Sequence, residues 1–195
     1  MTSTKDYIVE EAFKLFLSHS YEAVTINEIS KSVGLTKGAL YHHYSSKEEI
    51  FREVINRYLV VDAWDIEEQC ETLKEYVEAS LEHTRNVLYK TFGEQATFVP
   101  VNYLSMLIDA LRHNPGFEYE YEMKVKKMMS RVTEVMRDAA KRGEIRDDLD
   151  VEITALNYFS INLGIAANLY TYKSTDIAVN YLQRQLHEFY KLIAK

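Results

Sequence analysis

Apolar residues recur at three- and four-residue intervals through most of the chain, and the every-second-residue alternation of a half-buried strand is nearly absent. That is the period of amphipathic helices, so the pattern predicts an all-α fold. Ile8, Ala12, Leu15 and Phe16 form a first stripe, predicting a helix from about residue 4 to 18. "TINE" (Thr25 to Glu28) has the spacing of a capping box. In that motif the threonine hydroxyl accepts from the amide three residues on, and the glutamate reaches back. The helix it starts presents Ile26, Ile29 and Val33 and stops at Gly34, which tolerates the left-handed backbone of a tight turn. Thr36 is placed to cap a further short helix to about His43. "SKEE" (Ser46 to Glu49) repeats the capping-box spacing before a longer helix with Ile50, Phe51, Val54, Ile55 and Tyr58.

Five more helices are expected. The first carries Leu73, Val77, Leu81, Leu88 and Phe92 and ends near Gly93. The second opens at Pro100 and closes at "HNPG" (His113 to Gly116). A long stripe from Phe117 through Tyr121, Val125, Met128, Met129, Val132 and Met136 runs until Gly143. Two last helices span about 151–172 and 176–194, and no internal repeat interrupts the series.

Composition narrows the functional classes. The 195 residues are 47% hydrophobic and include two prolines, enough for a sizeable core and long unbroken helices. A lone cysteine, Cys70, forms no internal disulfide, fits a reducing compartment and has no neighbours with which to hold a metal. No secretory leader and no run of about 18 apolar residues is evident, so a cytoplasmic protein without a membrane partner is expected. The formal charge of -7 argues against gripping a polyanion through bulk charge. Residues 1–60 balance seven Lys/Arg against eight Asp/Glu, so any nucleic-acid contact must come from a local patch.

"LTKGALYHHYSSKEE" (Leu35 to Glu49) is the candidate. Gly38 weakens a helix interior, and Tyr41, His42, His43 and Tyr44 are too many amphipathic rings to bury together. A short helix, a glycine turn and a second short helix make a helix-turn-helix, whose second helix enters the major groove N-terminus first. In that setting Gly38 lets backbone approach DNA. Thr36 and Lys37 face phosphates or base edges at the helix start, and Lys37 can donate to guanine. Tyr41, His42 and Tyr44 supply rings and polar tips for sugar, phosphate and thymine methyl. Lys47 is placed as a phosphate clamp, and Thr25 as a cap that can also touch phosphate. Leu40 is assigned to the core, and Tyr44 stands between core and contact. Adjacent His42 and His43 point about 100° apart with no further ligands, so no metal is expected.

The run "TINEISKSVGLTKGALYHHYSSKEEIF" (Thr25 to Phe51) closely resembles the DNA-binding domain of the TetR family of bacterial transcriptional regulators. The preceding "AFKLFLSHSYEAV" is similar to that family's first helix and following loop. The resemblance implies a helix-turn-helix DNA-binding domain over residues 1–47. Over 48–195 it implies a linker helix plus a C-terminal effector-binding and dimerisation domain. It carries DNA contacts to Thr25, Thr36, Lys37, Gly38, Tyr41, His42 and Lys47. Ala39 stands where some relatives have a longer polar residue, leaving its methyl to meet a thymine methyl.

For the C-terminal region the resemblance implies a small-molecule effector and a homodimer. "NYFSINLGIAANLY" (Asn157 to Tyr170) mixes large residues with small ones that permit close helix packing. Leu182, Leu186, Phe189 and Ile193 offer a matching stripe on the final helix. Two copies of this pair can form a four-helix interface, the alternative being an intramolecular core. Ten of the 15 tyrosines lie beyond residue 60 with most of the methionines. Such side chains suit an adaptable apolar pocket and equally fill cores. From the helices that enclose the family's effector cavity, the pocket candidates are Phe92, Phe98, Tyr103, Met106, Leu107, Tyr121, Met128 and Tyr158, with Asn162 as a polar anchor. Glu120 and Glu122 either attract a lipophilic cation or form a solvated face.

No Glu-x-x-His pair of the di-iron type and no nucleophile triad is apparent, so neither catalysis nor a cofactor is expected. The reading is a ligand-responsive repressor, released from a double-stranded palindromic operator by a small apolar or aromatic effector. An activator, or an all-α small-molecule carrier with a vestigial DNA module, are the alternatives.

Overall fold

The computed structural model describes residues 3–59, 70–92, 103–168, 171–172 and 174–195; within them, the side chains at 91, 92, 103, 166 and 167 are not described. The described residues form nine helices: α1 Thr4–Ser18, α2 Ile26–Ser32, α3 Lys37–His43, α4 Lys47–Tyr58, α5 Leu73–Phe92, α6 Tyr103–His113, α7 Phe117–Arg142, α8 Val151–Asn168 and α9 Thr175–Ile193. The all-α expectation holds; the one β-type pairing among them is an isolated bridge between Ile145 and Ala194. No described helix is long and apolar enough to cross a membrane.

Local chemistry accounts for the helix ends. The Thr25–Glu28 box forms in full: the Glu28 amide donates to Thr25 Oγ1 at 3.2 Å, and the Thr25 amide donates to Glu28 Oε2 at 2.8 Å. A second reciprocal box, which the helical pattern did not mark, joins Ser3 and Asp6 at the start of α1. At α4 the expected box is only half made. The Glu49 amide donates to Ser46 Oγ at 3.2 Å, but the Glu49 carboxylate takes the Ser45 amide instead, at 2.6 Å. Gly34 ends α2 at φ +70°, with its own amide on the Lys31 carbonyl and the Leu35 amide on that of Ser30. This is the left-handed turn that only glycine adopts without strain.

The chain divides into two compact units that are not consecutive segments: residues 1–60 with 100–120, and residues 61–99 with 121–195. In the first, α4 packs on α1, and α6 packs on both. Ile8, Ala12, Phe16, Leu17, Ile29, Leu40, Ile50, Phe51 and Ile55 are buried there, joined by Met106 and Ala110 of α6. Phe13 stacks on Tyr58 with ring centroids 3.9 Å apart, and Phe16 meets Phe51 edge-on at 4.9 Å. An exposed Asp6–Arg57 pair at 2.6 Å also ties α1 to α4.

The second unit is a bundle in which α9 packs on α5 and α8. Its core takes Leu73, Tyr76, Val77 and Leu81 from α5, Val132, Met136 and Ala139 from α7, Ala155, Tyr158 and Ile165 from α8, and Leu182, Leu186 and Ile193 from α9. This corrects one expectation. The stripe Leu182, Leu186 and Ile193, assigned above to a subunit interface, is buried within the chain itself, with Phe189 partly buried against it. Among the described side chains, the large apolar residues that α8 and α9 leave exposed are Ile153, Leu156, Ile177, Tyr181 and Leu192.

Glu144 fastens this unit from the turn after α7. Its carboxylate accepts from the Leu73 and Lys74 amides at 3.0 and 2.9 Å and from the Tyr190 hydroxyl at 3.1 Å. Burial works to raise this carboxyl, but those hydrogen bonds and that of Arg142 outweigh it and hold the group below its usual range. The free amides opening α5 are thereby satisfied by a negative charge.

Candidate nucleic-acid interface

α3 is held from one side only. Leu40 is fully buried and pins the helix against α2, while Lys37, Gly38, Tyr41 and His42 face solvent, Tyr41 with 51% of its surface exposed. Ala39 is half-buried. A short helix that exposes a large ring and a lysine gains little stability from them, which leaves both available to a partner.

Gly38 is the clearest case. Its φ is not positive, and a methyl built on it would meet nothing nearer than Thr36 Oγ1 at 4.0 Å. Neither the backbone nor the packing of the chain requires glycine there.

The two threonine caps differ in what they leave available. Thr36 Oγ1 accepts from the Ala39 amide at 3.2 Å, and its proton goes to no acceptor among the described residues. The Thr25 hydroxyl both accepts from the Glu28 amide and donates to Glu28 Oε2 at 2.8 Å, so its proton is already engaged. Lys31 and Lys37 are exposed and make no ion pair among the described residues. By contrast Lys14 is paired with Glu10 and Glu11, and Arg57 with Asp6. Internal pairing thus neutralises acids along α1, while the Lys37 ammonium at the start of α3 makes no ion pair among the described residues.

Two candidates take internal roles. Tyr44 is 5% exposed, with Lys5 Nζ 5.2 Å from its ring centroid, and burial raises its phenol pKa. It serves as core. Lys47 Nζ donates to the carbonyls of Tyr21 and Val24 at 2.9 and 3.0 Å and lies 4.1 Å from the Tyr21 ring centroid. It clamps the loop between α1 and α2, the loop that delivers the Thr25 cap.

Tyr21, which sequence reasoning passed over, is the centre of that loop. Its amide donates to the buried Asp109 carboxylate of α6 at 3.0 Å, and its hydroxyl donates to Glu48 at 3.1 Å. Its ring stacks on His113 at 4.6 Å, and His113 Nε2 lies 3.2 Å from Glu22. Burial, then the Glu48 hydrogen bond, pushes the Tyr21 phenol up to about 12. Asp109 is 88 residues away along the chain, and no local signal announces the pairing.

The effector candidates do not form one described group. Met106 is buried and Leu107 half-buried in the first unit; Tyr121, Met128, Tyr158 and Asn162 belong to the second. Phe98 and the side chains of Phe92 and Tyr103 lie outside the described residues. Tyr158 and Asn162 are adjacent on α8, where Asn162 Nδ2 donates to the Tyr158 carbonyl at 3.0 Å. Glu120 and Glu122 are exposed and Glu122 pairs with Lys126, which makes them a solvated face.

Comparison with known proteins agrees with this geometry. Residues 8–54 match the family described as bacterial regulatory proteins, tetR family. The chain is 24% identical over 166 residues to the HTH-type transcriptional regulator UidR of Escherichia coli (strain K12), covering 85% of this chain and 81% of that one. It is 45% identical over 51 residues to the biofilm operon icaADBC HTH-type negative transcriptional regulator IcaR of Staphylococcus epidermidis, covering 26% of this chain and 28% of that one. The structure of the ketosteroid transcriptional regulator KstR2 of Mycobacterium tuberculosis superposes with a TM-score of 0.73 at 21% identity, over 100% of this chain and 97% of the other.

Proposed function

The chain belongs to the TetR family of bacterial transcriptional regulators, and on that premise we propose that it is a cytoplasmic, homodimeric repressor released from a palindromic operator by a small apolar or aromatic effector. The observation that carries the proposal is the outward face of α3. Thr36, Lys37, Gly38, Tyr41 and His42 are exposed on a helix whose one buried anchor is Leu40. These five residues are the principal DNA contacts, with Ala39 beside them and Thr25 at the margin. Residues 1–47 read DNA, and 48–195 carry the effector and the dimer contact. The family is one of regulators rather than enzymes.

Dimerisation follows from the operator: two recognition helices reach successive major grooves about one helical turn apart. The exposed apolar residues Ile153, Leu156, Ile177 and Tyr181 on α8 and α9 support these helices as the contact. Effector binding favours a spacing of the two recognition helices that no longer matches the grooves, and DNA is released by population shift. A near-complete switch requires the effector to prefer the released state by about 5.5 kcal/mol.

Fluorescence-anisotropy titration against duplex DNA from immediately upstream of the chain's own gene, at fixed salt and beside scrambled duplex, tests the reading. Tight binding to the upstream duplex alone supports it. Equal, weak binding to both, repeated across neighbouring promoters, would sink it.

A further inference from the structure

The seven residues of α3 rise about 10 Å, and the major groove of a duplex is about 12 Å wide. A helix of that length seated in the groove has a phosphate strand near each of its ends. Lys37 supplies a cation at the first end. At the other, where Tyr44 caps α3, the lysine that opens α4 is not available: the Lys47 ammonium is held by the Tyr21 and Val24 carbonyls. A different ammonium stands there. Lys5, the second residue of α1, is exposed and sets its Nζ 5.2 Å from the centroid of the Tyr44 ring.

The acids around Lys5 are engaged by other groups. Asp6 accepts from the Ser3 amide and hydroxyl on one oxygen and from Arg57 on the other. Glu49 takes the Ser45 amide and hydroxyl at 2.6 and 2.7 Å, and acts on Lys5 only through space, as it does on Arg52. Lys5 therefore makes no ion pair within 4 Å among the described residues. Lys31 shares that freedom but lies in the last turn of α2, one turn from Glu28. We infer that Lys5 is a phosphate contact of the DNA interface, gripping the strand beside the C-terminal end of α3 in the place that Lys47 has left. This rests on the outward face of α3 being the DNA-reading surface, and adds to it a residue from outside the helix-turn-helix. A phosphate contact carries affinity and salt dependence, and no sequence preference of its own.

The alternative role of Lys5 is to cover the Tyr44 ring with its stem and ammonium. Lys5→Met keeps the apolar cover and removes the charge; Lys5→Arg keeps both. Full-length parent and variants are titrated by fluorescence anisotropy against the upstream duplex and a scrambled duplex, from 50 to 200 mM salt, with calorimetric melting alongside. Lys5→Met should melt with the parent and bind both duplexes more weakly, keeping their affinity ratio within about twofold. Its slope of log affinity against log salt should be shallower by about 0.9 per protomer. The parent's advantage should then shrink over that salt range by about 3.5-fold per protomer, or about twelvefold for a dimer. Lys5→Arg should restore the parent slope. A Lys5→Met protein with the parent slope overturns the proposal, whatever its affinity. So does one that loses only the upstream duplex, or one that melts well below the parent and weakens equally at every salt. A parent that prefers the upstream duplex while the variant keeps its slope removes Lys5 alone. A parent without preference whose slope still falls in Lys5→Met removes the operator reading and leaves the contact.

Discussion

Replacing Gly38 with alanine separates what the fold needs from what DNA needs. The residue sits at the second position of α3, its φ is not positive, and the added methyl has 4.0 Å of clearance to its nearest neighbour. On the fold alone the change is favourable. Alanine is better than glycine in a helix by about 0.5–1 kcal/mol, less at the first turn. For a chain of this size that raises the melting midpoint by about 1–4 °C. On the operator the change is unfavourable, because the methyl stands where the backbone is proposed to approach DNA. Displacing one well-made contact costs about 1.4 kcal/mol, or tenfold, per recognition helix, and about a hundredfold for a dimer that engages both. Calorimetric melting and operator anisotropy on the same preparation read the two effects. A variant that melts higher and binds operator as well as the parent would refute the close approach. One that melts lower would refute the claim that the chain itself has no use for glycine there.

Three further outcomes are expected. Leu40→Ala should cost about 2–5 kcal/mol in denaturant unfolding, since the side chain is fully buried; an unchanged midpoint would contradict its place as the anchor of α3. Lys37→Ala should weaken operator binding and lower the slope of log affinity against log salt by about one per protomer if the ammonium sits on a phosphate. A loss confined to the cognate sequence would place it on guanine instead, and full affinity in the folded variant would remove it from the interface. Glu144→Gln should lower the midpoint at neutral pH. The folded carboxyl titrates below its usual 4.5, so its ionised form stabilises above that pH and the benefit fades as pH falls through it. The gap between parent and variant should therefore close in acid; a constant gap would refute the assignment.

Most helices were legible because they carry a 3.6-residue stripe with capping or glycine punctuation, and α3, which buries only Leu40, because Gly38 and its crowd of rings serve the fold so little. What escaped was mostly relational. The α9 stripe Leu182, Leu186 and Ile193 is apolar whether it faces a second copy or α5 and α8, and periodicity does not say which. Lys47 has the charge and position of a phosphate clamp, yet two carbonyls of a folded loop reach it first. Thr72 and Glu75 are a different kind of miss. Their capping-box spacing was present, and the structure closes it in both directions at 3.1 and 3.2 Å.

The Asp109–Tyr21 hydrogen bond bears on how such regulators are recombined. Exchanging the first 60 residues between relatives looks like moving a module, but the compact unit also needs 100–120. A graft that leaves Asp109 and His113 behind strands the Tyr21 amide without its acceptor and bares the faces of α1 and α4 that α6 covers. The same dependence orders events at the ribosome. Helices α1 to α4 are made before α6, which begins about 45 residues after α4 ends, so their unit stays incomplete until then. The transferable unit is therefore a discontinuous one, and a working chimera should carry α6 with the helix-turn-helix.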